Sequence, residues 1–439
     1  MVNIYNYLNN ALLRVKNEAL NNPFEFLLTL VLLTIPLHYR YNSSAVILLC
    51  AFSVYQLKFK KYYLTKQLLF PVALYLLMLL SLVWTIDFDL TFQALLKEIT
   101  LILIPLCFFL NAVSKESIKK IETSYAYIFL AYTVFYLIKA IVRYAITKNT
   151  EVFFYHELVT LDVNAIHVSV YCSLAYFIFL AKKNKKTIHK MALLTLSLLI
   201  FLLSSKNIIL VFILLNIFYF TFRFNRKIKK TQLILYVSIF VIAMLLFSNK
   251  IKERFLVEIE SNTLENSINS NPLSKGLVKN VSIYDAWNKE KFTSNDFFAG
   301  TALRVYQIRV FTELFQEDSL YFTGYGLNAS WERIKEKRIE HNLYPGYESF
   351  NFHNQYIQNF AELGVFALLI LLVMLILTLK NAIKSKDFVR FSFAILMISL
   401  FLTESFLWRQ KGVLFFIAFY CLFNLNESIN NPQNEQTKL

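Results

Sequence analysis

Long apolar runs alternate with short charged breaks over most of the 439 residues. About twelve runs are candidate membrane spans: 22–38, 43–57, 68–85, 91–110, 123–144, 164–181, 190–205, 207–222, 231–248, 357–379, 389–405 and 411–425. Crossing the hydrocarbon core takes roughly 20 apolar residues. Several runs fall short of that, and the second either spans or re-enters. The alternation stops for long only once, in the polar stretch 249–356. The pattern therefore predicts an all-α polytopic membrane protein in three parts: about nine spans over 1–248, one large external loop over 249–356, and about three spans with a tail over 357–439.

The loop has its own pattern. Leu303, Tyr306, Val310 and Leu314 follow a 3-4-4 spacing, which lines one face of a helix over 300–317. Gly324-Tyr325-Gly326 ends that unit in a turn. Residues 330–340 read as a charged helix, Pro345-Gly346 as its break, and His353 as the point where the chain returns to the membrane. Residues 251–299 are polar and irregular, and read as a flexible or lid-like segment.

Composition and charge sharpen this picture. The chain is 57% hydrophobic with a mean hydropathy of +0.48, which excludes an ordinary soluble domain. Its net charge of +16 sits largely at the ends of the apolar runs. With the N-terminus in the cytoplasm, 21 Lys and Arg fall in the cytoplasmic connections and 5 in the short external ones. The positive-inside rule then predicts cytoplasmic termini and an external loop. No basic stripe is interleaved with exposed aromatics on a soluble domain, so nucleic acid is excluded as a partner. Cys50, Cys107, Cys172 and Cys421 lie in apolar runs without metal-ligand spacing, so no disulfide and no metal cage are expected. No cleaved signal peptide is apparent, and the first span reads as a retained anchor.

The candidate chemistry lies at the outer membrane level. His353 stands where polar loop becomes membrane helix. There a neutral imidazole can take a proton from a hydroxyl, or simply hydrogen-bond at the interface. Asn354 could orient it, and Tyr356 could serve at the interface. Cations at this level are Arg40, Lys206, Arg304, Arg309, Arg409 and Lys411. Clustered cations without an acidic metal motif suit a phosphate or pyrophosphate group. Arg304 and Arg309 lie about 140° apart on an ideal helix, so the two need not face one ligand, and Arg304 is the better candidate. Lys206, in the tight turn Ser204-Ser205-Lys206-Asn207, calls for a partner or a ligand near hydrocarbon. Lys97, beside Glu98 in the fourth run, either pairs locally or joins the anion site. Asp87-Phe88-Asp89 reads as a solvated turn. No Walker loop, dinucleotide fingerprint, zinc motif or nucleophile elbow is present, and no cofactor is expected.

Several of these pieces together resemble a known family. Gly300-Thr301-Ala302-Leu303-Arg304 opens a helix that closes at Gly324-Tyr325-Gly326. Phe352-His353-Asn354-Gln355-Tyr356-Ile357-Gln358 continues through Ala361-Glu362-Leu363-Gly364 into an apolar run. With Ser204-Ser205-Lys206, Thr403-Glu404-Ser405 and Trp408-Arg409-Gln410-Lys411-Gly412, the chain resembles the O-antigen ligase and polymerase superfamily of bacterial envelope glycosyltransferases. The resemblance implies a donor glycan on undecaprenyl pyrophosphate and an acceptor that is lipid A-core or another glycan. It implies catalytic roles for His353 (acceptor hydroxyl) and Arg304 (leaving pyrophosphate). A substrate-binding role would fall to Lys206; Asn354, Tyr356, Arg309, Lys97, Arg40 and Arg409 are substrate-binding candidates from the residues themselves, and transfer is expected to be metal-free. Lys206 stands where the family has an arginine, and Ile308 where it has an aromatic. Ligase and polymerase share these motifs. A transporter or flippase for lipid-linked sugars is the alternative of another class, although the two halves differ in loop lengths, unlike inverted-repeat transporters.

Overall fold

A computed structural model describes residues 2–59, 62–63, 65–222, 268–269, 278–344, 347 and 350–425. Its helices in chain order are α1 (Val2–Asn21), α2 (Pro23–Thr34), α3 (Tyr39–Tyr55), α4 (Leu69–Leu80), α5 (Phe88–Glu98), α6 (Thr100–Leu110), α7 (Lys115–Thr147), α8 (Tyr155–Leu158), α9 (Ala165–Ala181), α10 (Thr187–Leu202) and α11 (Lys206–Phe222). Then follow α12 (Ile283–Asn288), α13 (Gly300–Asp318), α14 (Ser330–Glu340), α15 (Gln355–Ser385), α16 (Phe388–Phe401) and α17 (Gln410–Phe423). Among the described residues, four stretches are long and apolar enough to cross a membrane: Lys66–Val83, Phe88–Leu110, Lys115–Thr147 and Gln355–Ser385. Six shorter apolar helices of 10–17 residues accompany them. The ninth expected span, 231–248, lies outside the described residues, as do the Pro345-Gly346 break and most of the 251–299 segment.

The apolar runs pack into one large core. Helix α9 is central: nearly all its side chains are buried, Tyr171 and Phe177 among them, between α7, α10, α11 and α16. Such all-round burial is what a helix without a polar face requires. Helix α17 is equally enclosed, with aromatic contacts from Phe415 and Phe419 to Tyr125 and Phe393. The fourth apolar run is broken at Ile99 into α5 and α6. Asp87 caps α5 by accepting from the Leu90 amide at 2.9 Å, so the expected solvated turn is an N-cap.

The second core belongs to the loop region. Its helix α13 matches the predicted span, and Tyr306, Val310 and Leu314 are buried against Phe292, Phe298, Ala329 and Ile334. Helix α14 likewise falls where the charged pattern placed it. One feature departs from an all-α chain. Two- and three-residue strands, β1 (Ile268–Asn269), β2 (Val278–Asn280) and β3 (Asp296–Phe297), form a small sheet in that order. Pairing is antiparallel for β1–β2 and parallel for β2–β3, with Lys279 opposite Asp296. Strands this short carry no alternation that a sequence pattern could register.

The loop core is fastened to the membrane helices at a kink in α15. Gly364 there has φ 73° and ψ −172°. The Gly324-Tyr325-Gly326 turn docks on it: Tyr325 and Gly326 amides donate to the Ala361 and Glu362 carbonyls at 2.9 and 2.8 Å, and Val365 donates to Tyr321 at 2.9 Å. The Trp84 indole donates to the Thr323 carbonyl at 2.8 Å.

Candidate active site

The segment Phe350–Asn354 is set by bonds from three helices. Arg338 of α14, buried, donates to the Phe350 carbonyl at 2.5 Å. Gln307 of α13 donates to the Asn351 carbonyl at 2.7 Å. The Phe352 amide donates to Gln358 of α15 at 3.3 Å, and the Phe352 ring fills the loop core. The Asn351 side chain then accepts from the His353 amide at 2.9 Å. The result is His353 at φ 46°, in the left-handed region. A bulky residue held there signals a local constraint on its side chain.

His353 and Arg304 meet at one carboxylate. Arg304 leaves α13 on the side away from its apolar face. Its Nη2 lies 3.3 Å from Glu404 Oε1, and its Nε donates to the Thr403 carbonyl at 3.1 Å. Glu404 Oε2 is 3.4 Å from His353 Nδ1. Helix α16 ends at Phe401, so Glu404 stands in the turn that follows, which is tied to α15 by Ser405 to Gln358 (3.2 Å) and Leu407 to Gln355 (2.7 Å). Burial alone raises the Glu404 pKa. The hydrogen bond and charge of His353, with Arg304 and His167, outweigh burial and hold the carboxyl below its usual range.

These groups line a cleft of about 490 Å³. His353, Arg304, Glu404, Trp408 and Arg409 lie on it, together with residues of the α7–α9 connection such as Tyr155, His156 and Asp162. It can hold an anion against Arg304 and Arg409 while an imidazole, backed by a carboxylate at Nδ1, offers Nε2 to a hydroxyl.

The remaining candidates stand elsewhere. Arg309 donates to Glu313 at 2.7 Å and to the Lys289 carbonyl at 2.6 Å, inside the loop region. Arg304 lines the cleft and Arg309 does not. Asn354 is the N-cap of α15, accepting from the Tyr356 and Ile357 amides at 3.0 and 3.1 Å. Tyr356 donates to the Ile398 carbonyl at 3.0 Å. Both join helices rather than line the cleft. Lys206 opens α11 next to Asn207, whose side chain donates to Thr403 Oγ1 at 2.8 Å; it is near the site without lining the cleft. Lys97 is exposed on α5 while its neighbour Glu98 is buried. Arg40 is exposed at the start of α3, 6.0 Å from the Tyr39 ring centroid. Lys411 holds the Asp162 carbonyl at 2.7 Å.

Glu404 was not among the residues the sequence singled out for chemistry. Its signal was there: a lone acid in a short turn between two apolar runs, where an unpaired charge is costly. Residues 191–372 match the family model described as O-antigen ligase. No curated protein matches the chain.

Proposed function

Residues 191–372 belong to the O-antigen ligase superfamily, and from that membership we propose a membrane glycosyltransferase that moves a glycan from undecaprenyl pyrophosphate to an acceptor sugar hydroxyl. The membrane is the bacterial inner membrane, with both termini cytoplasmic and the cleft facing the periplasm. Twelve spans, a periplasmic loop over 249–356 and a lipid A-core or other glycan acceptor complete the reading. The observation that carries it is the Glu404 carboxylate bridging Arg304 and His353 on the wall of one cleft.

The chemistry follows from that bridge. The acceptor oxygen attacks the anomeric carbon and the bond from that carbon to the pyrophosphate oxygen breaks. The hydroxyl proton passes to His353 Nε2, and the imidazolium is balanced by Glu404 at Nδ1. The lipid pyrophosphate leaves with its charge against Arg304, which Glu404 and Thr403 already hold in place, and against Arg409 on the same cleft. Among the described residues no side chain hydrogen-bonds Arg409, unlike Arg309.

Two outcomes test this. In purified protein supplied with a lipid-pyrophosphate glycan donor, His353→Ala is expected to lower transfer by about 10²–10⁴-fold while donor binding persists. Transfer within a few-fold of the parent protein removes His353 from the mechanism, and lipid-linked glycan export without any transfer points to a transporter. Separately, Arg304→Gln and Arg409→Gln are expected to weaken inhibition by inorganic pyrophosphate, whereas Arg309→Gln leaves it unchanged and lowers thermal stability. An Arg309 effect as large as that of Arg304 contradicts the placement. The family takes in both outcomes: one bond per acceptor identifies a ligase, and a ladder of growing oligomers identifies a polymerase.

A further inference from the structure

The cleft has a wall that the transfer chemistry above does not use. It is the connection from α7 to α9, residues 148–164. Its backbone is clamped from outside: Lys139 donates to the Val159 carbonyl at 2.6 Å, Arg143 to the Glu157 carbonyl at 2.6 Å, and Lys411 to the Asp162 carbonyl at 2.7 Å. Leu158, Val159 and Val163 are buried beneath it, and Asn164 caps α9 by accepting from Ile166 at 2.8 Å. Three cations that could have served an anion are thus spent on holding this segment still. What the segment presents to the cleft is different in kind. Asp162 is exposed on the cavity wall. Tyr155, on the same wall, sits at φ 48°, a left-handed conformation that a large side chain adopts at a cost. Trp408 completes the surface, its indole N–H fixed to Asn328 at 2.5 Å.

A carboxylate here repels a pyrophosphate and accepts hydrogen bonds from neutral hydroxyls. Aromatic rings held still offer flat apolar faces with little entropy to lose. A sugar ring has both matching features, hydroxyls at its rim and C–H faces. The pyrophosphate belongs by charge beside Arg304 and Arg409, so the sugar on the Asp162 wall is the one without a phosphate. We infer that Tyr155, Asp162 and Trp408 form the acceptor-glycan subsite of this cleft, with Asp162 selecting the acceptor by its hydroxyls. The inference rests on the transferase reading above.

The test uses full-length purified protein, a lipid-pyrophosphate donor and an acceptor that the parent protein glycosylates. Asp162→Asn is expected to raise the acceptor KM by about 10- to 100-fold, the worth of a hydrogen bond to a charged group. The kcat and donor KM should hold within a few-fold, and inorganic pyrophosphate should inhibit as well as before or better. The Lys411 bond to the Asp162 carbonyl survives the substitution, which removes only the attraction between the carboxylate and the Lys411 charge; Asp162→Glu should recover part of the acceptor affinity. An unchanged acceptor KM, or a donor KM raised by the same factor, overturns the subsite. Absence of transfer by the parent protein is a separate result and sinks the transferase reading itself.

Discussion

Glu404→Gln is expected to cost about 10²–10⁴-fold in kcat, comparable to losing the imidazole itself, with the donor KM little moved. The substitution keeps shape and removes charge. In the parent protein one carboxylate faces two partners, Arg304 Nη2 at 3.3 Å and His353 Nδ1 at 3.4 Å. An amide can accept from one of them only weakly, and it presents an N–H₂ group to the other. His353 then loses both the bond that fixes its tautomer and the charge that balances its protonated form. Glu404→Asp should fall between, since it keeps charge but shortens the reach. A Glu404→Gln protein that transfers within threefold of the parent reduces the bridge to a packing detail. The pH dependence has a defined sign. His353 and Arg304 hold the Glu404 carboxyl below its usual range against the opposing effect of burial. Its contribution to folding is therefore present above the ordinary carboxylate pKa and is lost only as pH falls through the lowered value. Loss of activity at pH values above the ordinary carboxylate range must come from another group.

How much of this was legible in the chain differs by length scale. Helices came through because apolar runs and the 3-4-4 spacing are local signals; Tyr306, Val310 and Leu314 are buried as that spacing requires. Leu303, on the same face, is partly buried against the loop core and also lines the cleft beside Arg304. The two cleft residues Arg304 and His353 were visible through local motifs, each beside a helix start. Their common partner was not. Glu404 is 100 residues from Arg304 and 51 from His353, a pairing set by how α15 and α16 pack. The same distance in sequence hid the Asp162 wall. Arg309 and Asn354 show the converse. Both were read as candidates for a ligand, yet each has a partner within four residues: Glu313 for the arginine and the α15 amides for the asparagine. Such i,i+4 and capping pairs can be read from sequence, and the Arg309–Glu313 pair adds to the separation of about 140° that already favours Arg304.

Gly364→Ala is expected to disable the protein by another route, unfastening the loop region from the membrane helices. At φ 73° and ψ −172° the residue lies in backbone space that is essentially reserved for glycine. Space is closed as well: an added Cβ would lie 2.1 Å from the Phe322 carbonyl oxygen and 2.3 Å from its carbon. Both obstacles are backbone, so no side chain can turn aside. The turn at 321–326 must then lift off α15, giving up the Tyr325–Ala361, Gly326–Glu362 and Val365–Tyr321 hydrogen bonds. Each bond contributes about 1 kcal/mol and the strain adds about 1–3 kcal/mol, so the loss is several kcal/mol concentrated at one joint. The expected result in detergent is a clearly lowered melting temperature and faster proteolysis within 278–344, with transfer lost because Arg304 no longer reaches Glu404. Leu369→Ala, five residues further along α15 and exposed, is the control and should change little. The helix itself is not what fails: far-ultraviolet circular dichroism of Gly364→Ala should stay near that of the parent. Parent-like melting and transfer in Gly364→Ala would mean that the loop region holds its position without this joint.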